Sequence, residues 1–126
     1  MNVRRALVGL LAALLLAGLG IAAAQTAEPV TGCLNLQPTR LIVHERGRVS
    51  GTDPTPINVR AEPGTNAGQI GQFEAGVVFY VLEGPACTVS YTWYRVKARG
   101  TDAALEGWIA EGDARAYFVE RYPPGL

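Results

Sequence analysis

Ile57-Asn58-Val59-Arg60-Ala61-Glu62-Pro63-Gly64-Thr65-Asn66-Ala67-Gly68-Gln69-Ile70-Gly71-Gln72-Phe73 is the stretch that decides how this chain folds. Ile57 and Val59 alternate with Asn58 and Arg60, the two-residue period of a strand with one buried face. Pro63 fixes its own φ and pushes Glu62 toward an extended conformation. Gly64 takes positive φ without strain and Asn66 tolerates it, so a turn is expected there. A second strand begins at Ile70. Its same-face partner is Gln72 by simple alternation, or Phe73 across a small bulge at Gly71. The segment reads as strand, broad turn, strand.

Beyond the pattern, the order of residues carries a resemblance. Asn58-Val59-Arg60, then Pro63-Gly64-Thr65, then Ile70-Gly71 is similar to the opening signature of bacterial SH3-like domains. Trp93-Tyr94-Arg95-Val96 resembles that family's Trp-x-Lys/Arg-Val strand, and Gly107-Trp108-Ile109 its Gly-Trp-Val strand. The resemblance covers roughly residues 57–110. It implies a small SH3-like fold and a recognition module; members of the family bind peptidoglycan stem or cross-bridge peptides, and some bind proteins. Their binding residues differ from member to member, so none is carried over.

The rest of the chain supports an all-β class. Short strands are separated by closely spaced Gly and Pro turns, with no helical period after the first residues. The expectation is a small, partly open SH3-like barrel of five to seven short antiparallel strands, with an N-terminal extension tied on by a disulfide. Arg40–His44 is expected as the first strand, Glu45-Arg46-Gly47 as a turn, and Arg48-Val49 as a short return. Ser50 to Pro56, with two prolines and a glycine, is a loop. Val77–Glu83 is apolar on both faces, which predicts a central strand covered on two sides and ended by Gly84-Pro85. Strands are expected over Thr92–Ala98 and Glu106–Ala110. A longer loop spans Arg99–Leu105, Glu111–Arg115 forms a turn, and Tyr117–Glu120 is the closing strand.

Residues 1–24 have the layout of a secretory signal peptide. Arg4 and Arg5 form a basic start, an apolar run extends to Ile21, and Ala22-Ala23-Ala24 supplies small residues for a cut between Ala24 and Gln25. A membrane anchor is the rival, and the small-residue end and the glycines within the run argue against it. Val30-Thr31-Gly32-Cys33 loosely resembles the box before a lipidated cysteine, but Glu28 does not suit that processing. Export would place the protein outside the cell or in its envelope, free of the membrane after cleavage. The expected layout is signal peptide 1–24, extended lead-in 25–39, barrel 40–122 and tail 123–126.

The full chain has 11 basic and 11 acidic residues. Cleavage removes Arg4 and Arg5 and no acid, which leaves nine against eleven and a net charge of −2. That balance offers no clustered basic footprint for nucleic acid. The 102 remaining residues bury a small core, so a covalent staple helps. The two cysteines, Cys33 and Cys87, read as one disulfide in an exported protein. A metal site is the alternative, and two thiols with the single His44 are too few ligands.

Catalysis finds little support. Ser50 and Ser90 have no evident base, and disulfide-bonded cysteines are not nucleophiles. Glu111 and Asp113 read as a solvated turn rather than an acid–base pair. No enzyme, cofactor or metal is expected. Binding is the better case, because the chain is supplied with aromatic side chains that stack on sugars and peptides. Phe79, Tyr94 and Ile109 are expected inside. Trp93 and Tyr91 are expected to be partly exposed, and Trp108 is left open. The expected contacts are Trp93, Tyr91, Arg60 and Arg95. The expected partner of the monomer is a cell-wall peptide or glycan. A protein partner is the alternative, in a scaffold or as an inhibited secreted enzyme met by a protruding loop over Arg99–Glu106.

Overall fold

The computed structural model describes residues 32–100 and 105–123. The expected signal peptide, its cut at Ala24 and Gln25, and residues 25–31 of the lead-in lie outside the described residues. The described residues form an all-β structure of seven strands: β1 (Arg46–Val49), β2 (Ile57–Arg60), β3 (Gln69–Phe73), β4 (Val78–Cys87), β5 (Thr92–Ala98), β6 (Glu106–Gly112) and β7 (Val119–Arg121). They make one open antiparallel sheet in the order β3-β2-β6-β5-β4-β1-β7. The sheet curls so that the Phe118 N–H donates to Glu111 O at 2.7 Å and Gly112 bridges Tyr117. The architecture is that expected of an SH3-like fold.

The core follows from alternation. Val59 on β2, Phe73 on β3, Phe79 and Val81 on β4, Tyr94 and Val96 on β5, and Ile109 on β6 are all buried, with Val49, Val119 and Leu41 beside them. Phe73 and Phe79 stack with ring centroids 6.1 Å apart. Phe79, Tyr94 and Ile109 thus face inward as expected. The β2–β3 hairpin lies where its sequence puts it, with Gly64 at φ 131° in the turn. Arg60 faces Gln69 and Val59 faces Gly71, so the extra, bulged residue is Ile70 rather than Gly71. Phe73 is therefore on the buried face while Ile70 and Gln72 are exposed. Gly107 serves close approach: a Cβ there would sit 2.7 Å from both Arg60 O and Val59 Cγ1, where β2 crosses β6.

Three expectations about strands are corrected. Arg40–His44 is not a strand. Leu41 is buried and Val43 packs on the core, as alternation requires, but His44 turns through φ 72° and β1 starts only at Arg46. Val77–Glu83 is not covered on two sides, because Tyr80 is 43% exposed on its outer face. Nor does Gly84-Pro85 end that strand; β4 passes through it by register shifts and continues to Cys87. Bulges accommodate proline, which has no N–H for the ladder. Gly84, at φ 137°, lets Tyr94 approach within 2.5 Å of where a Cβ would be.

The disulfide joins Cys33 and Cys87 across 54 residues of sequence. It fixes the start of the described lead-in to the end of β4. The lead-in is then secured by side chains rather than by a ladder. Glu111, which the sequence placed in a solvated turn, is 1% exposed in β6. One of its oxygens accepts the backbone N–H groups of Arg40 (3.1 Å) and Leu41 (2.8 Å). The Tyr94 hydroxyl donates to Leu41 O at 3.3 Å, and the Tyr117 hydroxyl to Pro38 O at 2.6 Å. Asp113 behaves as a turn residue should, accepting the N–H groups of Arg115 and Ala116.

Candidate functional site

The loop at 50–56 stands off the sheet and leaves a groove of about 500 Å³ between itself, β2 and the start of β5. The loop is shaped by its own short polar residues. Ser50 and Thr52 hydroxyls meet at 2.9 Å, and Asp53 accepts the Thr55 N–H at 2.9 Å. Hydrogen bonds from the Thr55 N–H and hydroxyl hold the Asp53 carboxyl below the usual carboxylate range. Asp53 is therefore an ionised, exposed acid on the groove's rim.

The opposite wall is aromatic. Tyr91, Trp93, Tyr117 and Phe118 all line the groove. Tyr91 meets Trp93 edge-on at 5.8 Å and Phe118 at 6.2 Å. A tight turn from Cys87 to Tyr91 sets this wall, with the Thr88 N–H donating to Tyr91 O at 3.1 Å and the Trp93 indole N–H to Thr88 Oγ1 at 2.9 Å. Tyr117 is held from outside by Pro38 and by the Arg40 guanidinium, 3.8 Å from its ring centroid. The lead-in and the Cys87–Tyr91 turn thus buttress the groove instead of filling it.

β2 supplies the polar floor. Asn58 and Arg60 reach the groove on the same strand, two residues apart. Arg60 donates to Ala67 O at 2.8 Å and so spans the hairpin turn. Asn58 accepts from the Gln72 amide at 3.0 Å.

Of the four expected contacts, the structure brings Arg60, Tyr91 and Trp93 together on this groove. Trp93 is only 2% exposed, which corrects the expectation of a partly open indole. It is the base on which Tyr91 rests. Arg95 is elsewhere: it pairs with Glu83 at 2.9 Å and Glu106 at 3.2 Å on the outer face of the sheet. Trp108, left open by the sequence, opposes Arg95 and Arg60 on neighbouring strands and is half-buried. Sequence reasoning missed Asp53, Asn58, Tyr117 and Phe118. Asp53 sits in a stretch whose prolines and glycine signal only a break, and Tyr117 and Phe118 belong to the expected closing strand, whereas β7 starts at Val119.

Among the described residues that line the groove there is no histidine or cysteine. His44 lies on the turn before β1 and does not line it. No group of three or more metal-ligating side chains occurs among the described residues. The Arg99–Glu106 loop, the expected protrusion, lies partly outside the described residues.

Residues 55–114 match the family model of the bacterial SH3 domain. The match spans the hairpin, the Trp93 strand and the Gly107-Trp108 strand, the segments that carry the resemblance in the sequence. No curated protein and no solved structure matches the chain.

Proposed function

We propose that this protein is a non-catalytic, exported binding module that holds a cell-wall peptide or glycan in the groove between the 50–56 loop and Tyr91. Bacterial SH3 domains are in general binding modules without catalysis, and the match over residues 55–114 supports that class. The observation that carries the choice of site is the groove itself. It sets Tyr91, Tyr117 and Phe118 against Asp53, Asn58 and Arg60, an apolar wall facing a few polar groups. This is the usual make-up of a site that orients a small or extended ligand. The disulfide and the bacterial SH3 match are compatible with a place outside the cell or in the envelope.

The test is co-sedimentation of the disulfide-bonded protein with purified cell-wall sacculi. Tyr91→Ala removes an aromatic contact and leaves Trp93 in place, so it probes the groove better than a change at the buried Trp93. Sedimentation of the wild type that falls at least about tenfold in Tyr91→Ala supports the reading. No sedimentation at high micromolar protein rejects it.

A protein partner is the second reading. Leu34 is 88% exposed and Val89 96% exposed, and each lies within two residues of a disulfide cysteine. Capture of a specific envelope protein that is lost in a Leu34→Ser, Val89→Ser variant, with sacculus binding absent, would favour it.

A further inference from the structure

The outer face of β1, β4 and β5 gathers cations that the sequence scatters. Arg46 on β1 is opposite Tyr80 on β4, which is opposite Lys97 on β5. One row along, Arg48 is opposite Val78, whose carbonyl accepts the N–H of Arg99. Ala98, between Lys97 and Arg99, is buried, so both of its neighbours face outward. Strand spacing puts the four cations at the corners of a patch about 7 Å by 10 Å, with Tyr80 and Val78 between them. Lys97, Arg99 and Tyr80 are exposed. None of the six lines the groove.

Most of this charge is unspent among the described residues. Arg48 is paired, through Glu120 at 2.6 Å. Arg46 donates only to a backbone carbonyl, Pro123 O at 3.4 Å. Its guanidinium lies 5.1 Å from the Tyr122 ring centroid, and that of Arg48 lies 5.4 Å from it. Glu106, opposite Lys97, turns to Arg95 instead. So a chain with as many acids as bases carries a local positive face, three cations of which have no described carboxylate partner.

We infer that this face is a second binding site, and that its ligand is a linear polymer of phosphates. The cations stand in separate columns on one sheet face, so they offer several contacts to a chain of anions rather than converging on a single one. Arg46 and Arg48 are steadied by a shared aromatic ring, which lowers the entropy lost when they engage phosphate. The tyrosine at the centre adds a hydrogen-bonding hydroxyl without a competing negative charge. Binding by this face is driven by counterion release.

The experiment titrates the intact protein with linear inorganic polyphosphate at low salt. Binding is expected to weaken by about tenfold between about 50 mM and 200 mM salt. Lys97→Glu should weaken it by on the order of fivefold or more, while Arg115→Glu, the same change of charge on a remote exposed turn, should have a much smaller effect. On the wild type alone, amide shifts on adding polyphosphate should gather at Arg46–Arg48, Tyr80, Lys97 and Arg99. The inference is overturned by absence of binding at low salt, by equal losses in the two variants, or by shifts that gather at Tyr91 and Asn58 instead. Phosphatidylglycerol vesicles are a parallel arm: binding to them by a protein that ignores polyphosphate would replace the polymer with a membrane surface.

Discussion

The β2–β3 hairpin and the stretch from Gly32 to Glu45, which joins the described lead-in to β1, are comparable in length and held largely by different means. In the hairpin, backbone bonds to backbone over a span of 17 residues, and the turn is set by Pro63 and Gly64. In the lead-in and on to Val43, the chain reaches across more than 50 residues to the side chains of Cys87, Glu111, Tyr94 and Tyr117, and only at the end of the stretch do His44 and Glu45 bond to distant backbone, that of Val81. The first kind of structure is local and tolerates surface change. The second concentrates its stability in a few residues, and one of them, Tyr117, also lines the groove.

The contrast is sharpest at the disulfide. Replacing Cys33 and Cys87 with serine together should lower the unfolding free energy by about 2–5 kcal/mol. Chemical denaturation measures it. A loss below about 1 kcal/mol would mean that the side-chain contacts hold the lead-in unaided.

Glu111 is next. Glu111→Ala strands two backbone N–H groups and should cost about 2–4 kcal/mol, whereas Glu111→Gln keeps an acceptor oxygen and should cost far less. The two differ also with pH. Burial raises the Glu111 pKa from its ordinary 4.5, against the pull of the Leu41 and Arg40 N–H groups. A raised folded-state pKa means that the folded protein holds the proton more tightly than the unfolded chain. Its stabilising contribution is present in full below 4.5 and is lost as pH rises through the raised value. Wild type should therefore lose stability relative to Glu111→Gln over that window and stay level beyond it. A parallel pair of stability curves would show that Glu111 titrates normally.

Smaller effects follow. Tyr117→Phe deletes the bond to Pro38 but keeps the ring, and should cost about 0.5–1.5 kcal/mol. Asn58→Ala, in the hairpin, removes an exposed bond to Gln72 and should move stability by less than about 0.5 kcal/mol, although Asn58 belongs to the motif that reveals the fold. If Asn58→Ala proved as costly as Tyr117→Phe, the distinction between the two regions would weaken.

The same distinction governs what could be read in advance. The hairpin, the Thr92–Ala98 strand and the inward Phe79, Tyr94 and Ile109 are legible because period and turn chemistry act over neighbouring residues. Arg40–His44 showed a true alternation of buried and exposed side chains. Alternation does not say where the backbone bonds go, and here two N–H groups go to Glu111. Glu111 itself was readable: it lies two residues beyond Ile109 on the same strand face, so inward by period. Its acidity argued for solvent and masked the pattern. Trp93 shows the converse limit. Alternation separates its face from that of Tyr94, but coverage by the Thr88–Tyr91 turn is tertiary and has no periodic signal. Arg60 and Trp93 reach one groove because both lie on motif strands, and Tyr91 comes with them because it stands one residue before the second strand. Asp53 and Tyr117 joined them through loops whose paths the pattern does not specify.

The most direct test of the account is a backbone amide map of the disulfide-bonded protein titrated with soluble cell-wall fragments, peptide-bearing and peptide-free. The account predicts shifts that concentrate at Asp53, Asn58, Arg60, Tyr91 and Tyr117 and leave Arg95, Glu83 and Glu106 unmoved. Shifts centred on the Arg95 ion pairs, or none with either fragment, would contradict the groove as the place where this protein meets its ligand.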